Sequence, residues 1–431
     1  MKVKIIGGGL AGVEAAYFLA NRGIEVILYE MRPLKYSEAH QTDLLAELVC
    51  SNSLRSNDIK TAVGLLKREM GLLDSLVMKA AKIAQIPGGT SLMVDRDEFS
   101  KFITNEIYNH DNIKVINQEV TTIDLDIPTI IAAGPLASHD LVTHLVNLTG
   151  AENLNFYDAV SPILSSDSIN LDICYSKDRY QEGKGTYLNC PMTKDEYNKF
   201  YEALIKADRY APKDFEKEIF EACMPIEVMA ERGYQTPLFG PLKPVGLEID
   251  GNRPYAVVQL RPEDFSNKMY NLVGFQTSLR QGAQRDVIRL IPGLENAEIL
   301  RYGVIHRNTY FNSPKILDNG FKFKNYPNLY LAGQISGVEG YVESAASGIA
   351  AAINLYSNLM FQKDLNLPSE TILGSLSQYV STSNPNFVPM NANFGIVPAL
   401  PEKVRKKERR EVYAQRSLDS LNNLIKENKW I

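Results

Sequence analysis

The stretch that decides the fold is Gly7-Gly8-Gly9-Leu10-Ala11-Gly12. The apolar run at residues 2–6 predicts a buried strand before it, and residues 13–21 predict a helix with one apolar face. The first glycine permits a tight turn, the second lets the backbone approach a pyrophosphate, and the third lets helix and strand pack closely. The helix N-terminus then faces the phosphate charge. This βαβ unit is therefore predicted to bind a dinucleotide.

Two further features extend the predicted site. Residues 25–30 predict the second strand, and it ends in Glu30, which can bind a ribose hydroxyl. Another strand, glycine-rich loop and helix occur at residues 328–356, where Gly333 and Gln334 begin the loop and the helix is predicted over residues 343–356. Because a simple NAD domain does not need this second unit, the pattern favours FAD, with the helix N-terminus facing the cofactor. The alternative is that these glycines serve only close packing at a crossover.

The length of 431 residues predicts two domains, or one domain with a large insertion. We predict an α/β fold with a doubly wound, Rossmann-like FAD-binding domain. Its first part covers residues 1–150 and its second part 301–431, which ends in a basic helix. Residues 151–300 change to tyrosine-rich alternating runs and are predicted to form an inserted α+β domain.

Composition excludes several classes of protein. The hydrophobic fraction of 45% and the charged fraction of 23% are ordinary for a soluble globular protein, and no apolar run approaches the roughly 20 residues of a membrane span. We therefore expect a cytoplasmic protein with no membrane partner. The four cysteines form no CxxC pair and the five histidines no metal-spaced cluster, so neither a metal site nor a disulfide framework is expected.

The net charge and the local distribution of charge give different indications about a nucleic-acid partner. The net charge of −5 argues mildly against a nucleic-acid partner. The residues 403–410, called here the basic stretch, nevertheless form a local patch that can contact phosphates. Lys60, Lys67 and Arg68 are further candidates for the same basic groove. Its alternative interpretation is a solvated helix face.

The cysteines differ in their surroundings. Cys174 and Cys190 are interpreted as small buried hydrophobes. Cys50 precedes a polar run that ends in Arg55 and can lower a thiol pKa, and Cys223 lies just before a proline that places it at a bend. From pattern alone, Cys50 and Cys223 are either catalytic or structural. His306 is interpreted as a hydrogen-bonded structural histidine rather than a site residue.

Several long stretches resemble the folate- and FAD-dependent tRNA uracil-5-methyltransferase family, TrmFO, which is related to the GidA flavoproteins. The resemblance runs through nearly the whole chain, and CSNSLRS and CMPIE are specific to the methyltransferase branch. The principal matching stretches are GGGLAGVEAA from Gly7, AELVCSNSLRS from Ala46, VDRD from Val94, CMPIEVMAERG from Cys223, FGPLKPVGL from Phe239 and AGQISGVEGYVESAASG from Ala332.

The resemblance implies methylation of C5 of uridine 54 in the T-loop of tRNA. The one-carbon donor would be 5,10-methylenetetrahydrofolate, and FAD reduced by NADH or NADPH would supply the reducing equivalents. A thiolate adding to C6 makes C5 nucleophilic, and a base removes the C5 proton. No DNA and no obligatory protein partner are expected, and the inserted domain would form the RNA and folate side of the active site.

Residue roles follow from the same resemblance. Cys223 becomes the nucleophile, and Cys50 becomes the second thiol, either as general base or as partner in the one-carbon transfer. Arg55, Arg261 and Arg307 are candidates for contacts to folate carboxylates or RNA phosphates. The predicted cofactor-binding residues are Gly7, Gly8, Gly9, Leu10, Ala11, Gly12, Glu30, Arg32, Gly134, Gly333, Gln334, Tyr341 and Glu343.

Two positions depart from the family's usual pattern, and the second of them bears on the RNA substrate. Ala222 stands where the family commonly has glycine, and Gln281 where it often has tryptophan. The change at Gln281 affects packing or an RNA-facing surface. Three alternatives stay open: the same chemistry on a ribosomal uridine, a GidA-like modification of the wobble uridine, and an RNA-binding flavoprotein that acts as a chaperone.

Overall fold

The structure is a computed structural model that describes residues 1–181, 183, 185–210, 224–249 and 251–431. Its strands, in chain order, are β1 (Lys2–Ile6), β2 (Glu25–Glu30), β3 (Ser53–Ser56), β4 (Gln85–Ile86), β5 (Ser91–Val94), β6 (Ile113–Asn117), β7 (Thr129–Ile131), β8 (Asn153–Ala159), β9 (Ile163–Ser165), β10 (Tyr175–Ser176), β11 (Leu188–Met192), β12 (Ala256–Pro262), β13 (Met269–Leu272), β14 (Ile299–Arg301), β15 (Ile305–Phe311) and β16 (Leu329–Leu331).

The helices are α1 (Leu10–Ala20), α2 (Ala62–Leu72), α3 (Leu76–Ile83), α4 (Arg96–Tyr108), α5 (His139–Thr149), α6 (Lys194–Lys206), α7 (Ile226–Glu231), α8 (Thr236–Phe239), α9 (Gln281–Ile288), α10 (Ser313–Ile316), α11 (Tyr341–Phe361), α12 (Ile372–Ser381) and α13 (Arg409–Glu427). Short 3₁₀ turns occupy Ser166–Ser168 and Gln334–Ser336. Among the described residues, no helix combines the length and apolar character needed to cross a membrane.

The first sheet is parallel and has the strand order β16-β7-β1-β2-β6. The chain leaves β1 towards β2 on one side and later returns to β7 on the other, so the strand order reverses beside β1. In open α/β sheets, ligands bind at the carboxyl ends of the strands at such a reversal. The sheet therefore places a ligand site after Ile6 and Ile131.

Helices α1 and α11 pack against each other through small residues. A Cβ added at Gly12 would lie 1.8 Å from the carbonyl oxygen of Gly7, and one added at Gly348 would lie 2.1 Å from that of Ala11. These two glycines therefore permit contacts that alanine does not. They hold the first turn of α1 against both the strand before it and the helix that closes the fold.

The second sheet is antiparallel, with the order β10-β11-β12-β13-β9-β14. It has its own hydrophobic core, formed by buried residues between Leu164 and Ala297, to which α6, α7 and α9 contribute. The antiparallel pair β8 and β15 carries the chain into this region and back out of it. Together with the parallel sheet, this gives the predicted α/β fold with an α+β insertion.

The basic stretch lies mostly before the last helix. Helix α13 begins at Arg409, so residues 403–405 are irregular and residues 406–408 form a turn, most of it exposed, rather than helix. Lys60 forms a 2.6 Å ion pair with Glu411 on α13 and thus lies beside the stretch. Lys67, in contrast, is buried and donates hydrogen bonds to the carbonyl oxygens of Leu54 and Arg55. The expectation that Lys67 contributes to an exposed basic groove is therefore wrong.

Candidate active site

The glycine loop after β1 has the geometry expected of a phosphate site. Gly7 has φ +105°, and a Cβ there would lie 2.4 Å from the carbonyl oxygen of Ala132. Gly9, the residue before α1, faces open space, because a Cβ added there would meet no heavy atom within 4 Å. The backbone at Gly9 is therefore open to a ligand, and the N-terminus of α1 lies directly behind it.

Glu30 ends β2 with its carboxylate held in place by three hydrogen bonds. Its oxygens accept hydrogen bonds from the backbone N–H of Gly8 (2.9 Å) and from the backbone and side chain of Arg32. Burial raises the pKa of Glu30, but the hydrogen bonds and charge of Arg32 outweigh it, and the pKa lies below its ordinary value. Glu30 is therefore ionised at neutral pH and can accept hydrogen bonds from hydroxyl groups.

Arg32 is itself almost fully buried. Its guanidinium forms ion pairs with Glu30 (3.0 Å) and Glu47 (3.2 Å) and donates to the carbonyl oxygens of Thr42 and Leu44. Arg32 lines the cavity described next, but its donors are directed to protein groups. We infer that it orients Glu30 and the loop that follows.

A cavity with an empty volume of about 1020 Å³ lies at the carboxyl ends of the parallel strands and opens to solvent. The residues predicted to bind the cofactor that line it are Gly7, Gly9, Leu10, Ala11, Glu30, Arg32, Gly134, Gly333, Gln334 and Tyr341. The parallel-sheet domain thus provides one continuous concave surface.

Three other predicted residues lie behind this wall. Gly8 contacts Glu30, and Gly12 packs under the loop. Glu343 is fully buried, forms an ion pair with Arg55 and accepts a hydrogen bond from the backbone N–H of Ala392 (2.7 Å). These residues support the cavity from outside it. Arg55 uses one guanidinium nitrogen in this ion pair, and its side chain is 38% exposed, so it can still reach a ligand carboxylate.

Tyr341 connects the cavity to Cys50. The Tyr341 hydroxyl oxygen accepts hydrogen bonds from the backbone N–H groups of Cys50 (2.6 Å) and Ser51 (3.1 Å). In the same loop, the Asn52 side-chain amide donates to the carbonyl oxygens of Val94 and Pro262, both at 3.1 Å. The loop that carries Cys50 is thereby fixed between the cavity wall and the antiparallel sheet.

Three arginines surround this loop. Arg96 donates to the carbonyl oxygen of Cys50 (2.8 Å), and Arg301 donates to that of Val49 (2.8 Å). Arg261 donates to the hydroxyl of Ser51 (2.8 Å). Burial and the charge of Asp158 raise the pKa of the Cys50 thiol to about 12, although the three arginines act in the opposite direction. Cys50 therefore holds its proton at neutral pH in this arrangement.

Cys223 lies outside the described residues. The chain that follows it belongs to the antiparallel domain, where the backbone N–H of Ile226 donates to the carbonyl oxygen of Gln276 (2.8 Å) and begins α7. The buried Glu227 accepts hydrogen bonds from Thr277 and Ser278. Of the remaining candidates, Arg307 is exposed on β15.

His306 differs from its sequence interpretation. It lies on β15 opposite Asp158, is buried, and neither ring nitrogen has a hydrogen-bond partner among the described residues. Burial lowers its pKa to about 4, and the nearby Arg301 and His40 act in the same direction. The interpretation of His306 as a hydrogen-bonded structural histidine is therefore wrong. The ring is neutral at physiological pH.

The other two cysteines are buried in the antiparallel domain, as predicted. The sulfur atoms of Cys174 and Cys190 lie 3.3 Å apart and share a hydrogen bond. In the part of the chain that the structure describes, no group of three or more histidine, cysteine or acidic side chains could hold a metal ion.

The sequence reasoning missed several residues that complete the site. Two of them, Arg96 and Arg301, donate hydrogen bonds to the loop that carries Cys50. Glu47 forms an ion pair with Arg32, and Glu339 accepts a hydrogen bond from Gln334 behind the cavity wall. Arg96 and Glu339 lie within stretches that match the family, which was the available signal. No sequence signal pointed to Arg301, because its contact with the Cys50 loop depends on packing between distant segments.

The fold and cavity define a class: a doubly wound dinucleotide-binding domain with an antiparallel insertion. The family model for glucose inhibited division protein A matches residues 2–363. The solved structure of Aquifex aeolicus GidA in the form II crystal superposes with a TM-score of 0.73 at 17% identity, over 100% of this chain and 74% of that chain. This likeness shows the fold.

Sequence relatives are much more similar. The methylenetetrahydrofolate–tRNA-(uracil-5-)-methyltransferase TrmFO of Bacillus subtilis is 55% identical over 429 residues, or 98% of each chain. TrmFO of Anoxybacillus flavithermus is 54% identical over 431 residues, covering 99% of this chain and 100% of that one. The chain therefore belongs to the TrmFO family, within the wider glucose inhibited division protein A family.

Proposed function

We propose that the protein is a methylenetetrahydrofolate–tRNA-(uracil-5-)-methyltransferase that methylates C5 of uridine 54 in the T-loop. The enzyme class rests on the 55% identity to the Bacillus subtilis TrmFO protein across 98% of both chains. The observation that carries the chemistry is the contact of Tyr341 with the Cys50 backbone, because it places a thiol-bearing loop against the wall of a dinucleotide cavity.

The residues present fit FAD. The open space at Gly9 can admit a pyrophosphate, and the ionised Glu30 can accept hydrogen bonds from ribose hydroxyls. Gly333, Gln334 and Tyr341 form the part of the wall next to the second domain. When bound, FAD that NADH or NADPH has reduced would supply the reducing equivalents that convert the folate methylene group into a methyl group.

The protein supplies the activation of uracil. We assign to Cys223 the addition of a thiolate to C6, which makes C5 nucleophilic enough to attack the methylene carbon of the folate. Loss of the C5 proton is followed by cleavage of the bond between the methylene carbon and the folate nitrogen, which releases tetrahydrofolate. Addition of a hydride equivalent to the methylene carbon and departure of the Cys223 thiolate then give the methyl group and restore the C5–C6 double bond. This assignment rests on the match of CMPIE to the family.

We assign the proton transfer at C5 to Cys50. Only the Cys50 thiolate can accept that proton, and burial keeps the thiol protonated, so the thiol proton must first pass to solvent water, which reaches the partly exposed Cys50. Arg96, Arg261 and Arg301 supply the positive charge that stabilises the thiolate once it forms. They also hold the loop rigid, so the thiol is presented in one position.

The test is methyl transfer by the purified protein. An unmodified tRNA transcript and a ribosomal RNA fragment are each incubated with labelled methylenetetrahydrofolate and NADPH, or with labelled S-adenosylmethionine. Label in the tRNA with folate alone is the expected result. Label only in the ribosomal fragment would change the substrate, and no label in either RNA would favour a GidA-like modification or a chaperone.

Cysteine variants test the proposed roles. Cys223→Ala and Cys50→Ala are expected to abolish transfer while FAD stays bound. Cys174→Ala is the matched control, because this buried cysteine lies in the core of the antiparallel domain. Full activity in either of the first two variants would refute the role proposed for that thiol.

A further inference from the structure

Gln334 and Glu339 form a hydrogen-bonded pair at the wall of the cavity. Gln334 lines the cavity, and Glu339 lies behind it with only 9% of its surface exposed. The Gln334 side-chain nitrogen and a Glu339 carboxylate oxygen are 2.6 Å apart. One side of the Gln334 amide therefore contacts a buried carboxyl group, while the residue as a whole borders the ligand space.

The backbone around this pair is fixed. The N–H of Glu339 donates to the carbonyl oxygen of Met390 (2.8 Å), and the N–H of Met390 donates to that of Gly337 (3.0 Å). The N–H of Gly333 donates to the hydroxyl of Ser347 (2.7 Å). Because these contacts hold the backbone at both ends of the loop, the Gln334 amide can rotate without any movement of the backbone.

Glu339 titrates near physiological pH. Burial and the charge of Asp158 raise its pKa to about 8, and Glu343 acts in the same direction. The hydrogen bond from Gln334 and the charge of Arg55 lower it without cancelling the rise. Protonated and ionised Glu339 are therefore both populated between about pH 7 and about pH 9.

We propose that the proton on Glu339 determines which end of the Gln334 amide faces the bound cofactor. An ionised carboxylate can only accept a hydrogen bond, so it takes the amide N–H and leaves the carbonyl oxygen towards the cavity. A protonated carboxyl can donate to the amide carbonyl, which turns the N–H towards the cavity. Glu339 is thus a positioning residue that acts through Gln334.

The direction of the effect follows from the chemistry of FAD, so this inference rests on the proposed function. The phosphates and the carbonyl groups of the flavin ring are hydrogen-bond acceptors. An amide N–H therefore suits them better than an amide oxygen. FAD is expected to bind more tightly when Glu339 is protonated, by roughly threefold to tenfold, the range of one net hydrogen bond.

The experiment measures the FAD dissociation constant of the apoprotein at about pH 6.5 and about pH 9, on either side of the Glu339 transition. Quenching of flavin fluorescence gives the constant, and the absorption spectrum of the bound flavin gives a second readout. Glu339→Gln is the diagnostic variant. Its amide stays neutral at every pH and can both donate to and accept from Gln334, so the variant removes the titration while it keeps the contact.

The wild-type protein is expected to lose affinity at the higher pH, whereas Glu339→Gln is expected to show one affinity and one spectrum at both pH values. Gln334→Met, a second variant, is expected to bind more weakly and without this pH dependence. Glu69→Gln, which changes a buried carboxyl held by α12 and α13, should behave like wild type.

Two results would overturn the inference. One is a wild-type affinity that does not change with pH, and the other is a Glu339→Gln variant that retains the wild-type pH dependence. Absence of FAD binding at both pH values would instead refute the proposed cofactor, and the inference with it. The two failures are therefore distinguishable.

Discussion

Replacement of Gly9 by alanine separates what the cofactor requires of the loop from what the fold requires. Gly9 has φ −77° and ψ −174°, which alanine adopts without strain, and the added Cβ would meet no protein atom within 4 Å. The apoprotein should therefore be unchanged or more stable by roughly 0.4–1 kcal/mol, since alanine restricts the unfolded chain. The methyl group instead occupies space that a pyrophosphate needs.

The expected loss is in FAD affinity. Displacing a phosphate from one charged hydrogen bond with the backbone removes about 1.5–3 kcal/mol, or roughly tenfold to a hundredfold in the dissociation constant. The assay is flavin fluorescence quenching, combined with thermal unfolding of the apoprotein. Gly71→Ala is the matched control, because its Cβ also meets nothing within 4 Å but lies on α2, away from the cavity lining.

Gly12→Ala should instead destabilise the apoprotein. Its Cβ would lie 1.8 Å from the Gly7 carbonyl oxygen, so α1 must move, and the apoprotein should lose roughly 1–3 kcal/mol of stability. The reasoning would be refuted if Gly9→Ala bound FAD like wild type, or if it destabilised the apoprotein as much as Gly12→Ala.

Three further predictions follow from the contacts. Tyr341→Phe leaves the backbone N–H groups of Cys50 and Ser51 without their acceptor, so methyl transfer should fall roughly tenfold or more at unchanged flavin content; unchanged activity would refute the positioning role. Burial raises the pKa of Glu69 from 4.5 to about 7, so unfolding should become easier by up to about 3 kcal/mol as pH rises through this range. Glu69→Gln should flatten that dependence in thermal melts, and an unchanged slope would contradict it. Charge reversal in the basic stretch should weaken tRNA binding and reduce its salt dependence, and an unaltered salt slope would show that tRNA binds elsewhere. The reversed residues are Lys406, Lys407, Arg409 and Arg410.

The first βαβ unit could be predicted because its signals are local. The predicted strands at residues 2–6 and 25–30 coincide with β1 and β2, and the glycine spacing correctly placed the turn between strand and helix. The predicted helix at 343–356 is the middle of α11. It begins earlier, at Tyr341, because Gly340 with φ +107° ends the loop there.

The environment of Cys50 could not be predicted in the same way. Arg96, Arg261 and Arg301 are distant from Cys50 in sequence and converge on its loop only when α4, β12 and β14 pack together. The polar run after Cys50 favoured a lowered thiol pKa, whereas burial raises it. Hydrogen-bonding potential is visible in a sequence, but the desolvation that opposes it depends on tertiary packing.

The most direct test of the central claim is the isotope content of the product methyl group. The protein is supplied with tRNA, NADPH and methylenetetrahydrofolate that carries two deuterium atoms on the methylene carbon, and the digested tRNA is analysed by mass spectrometry. The account predicts a methyl group with two deuterium atoms and one hydrogen at C5 of uridine 54, and none in tRNA with cytidine at that position. An unlabelled methyl group, or a labelled one at another nucleotide, would contradict it.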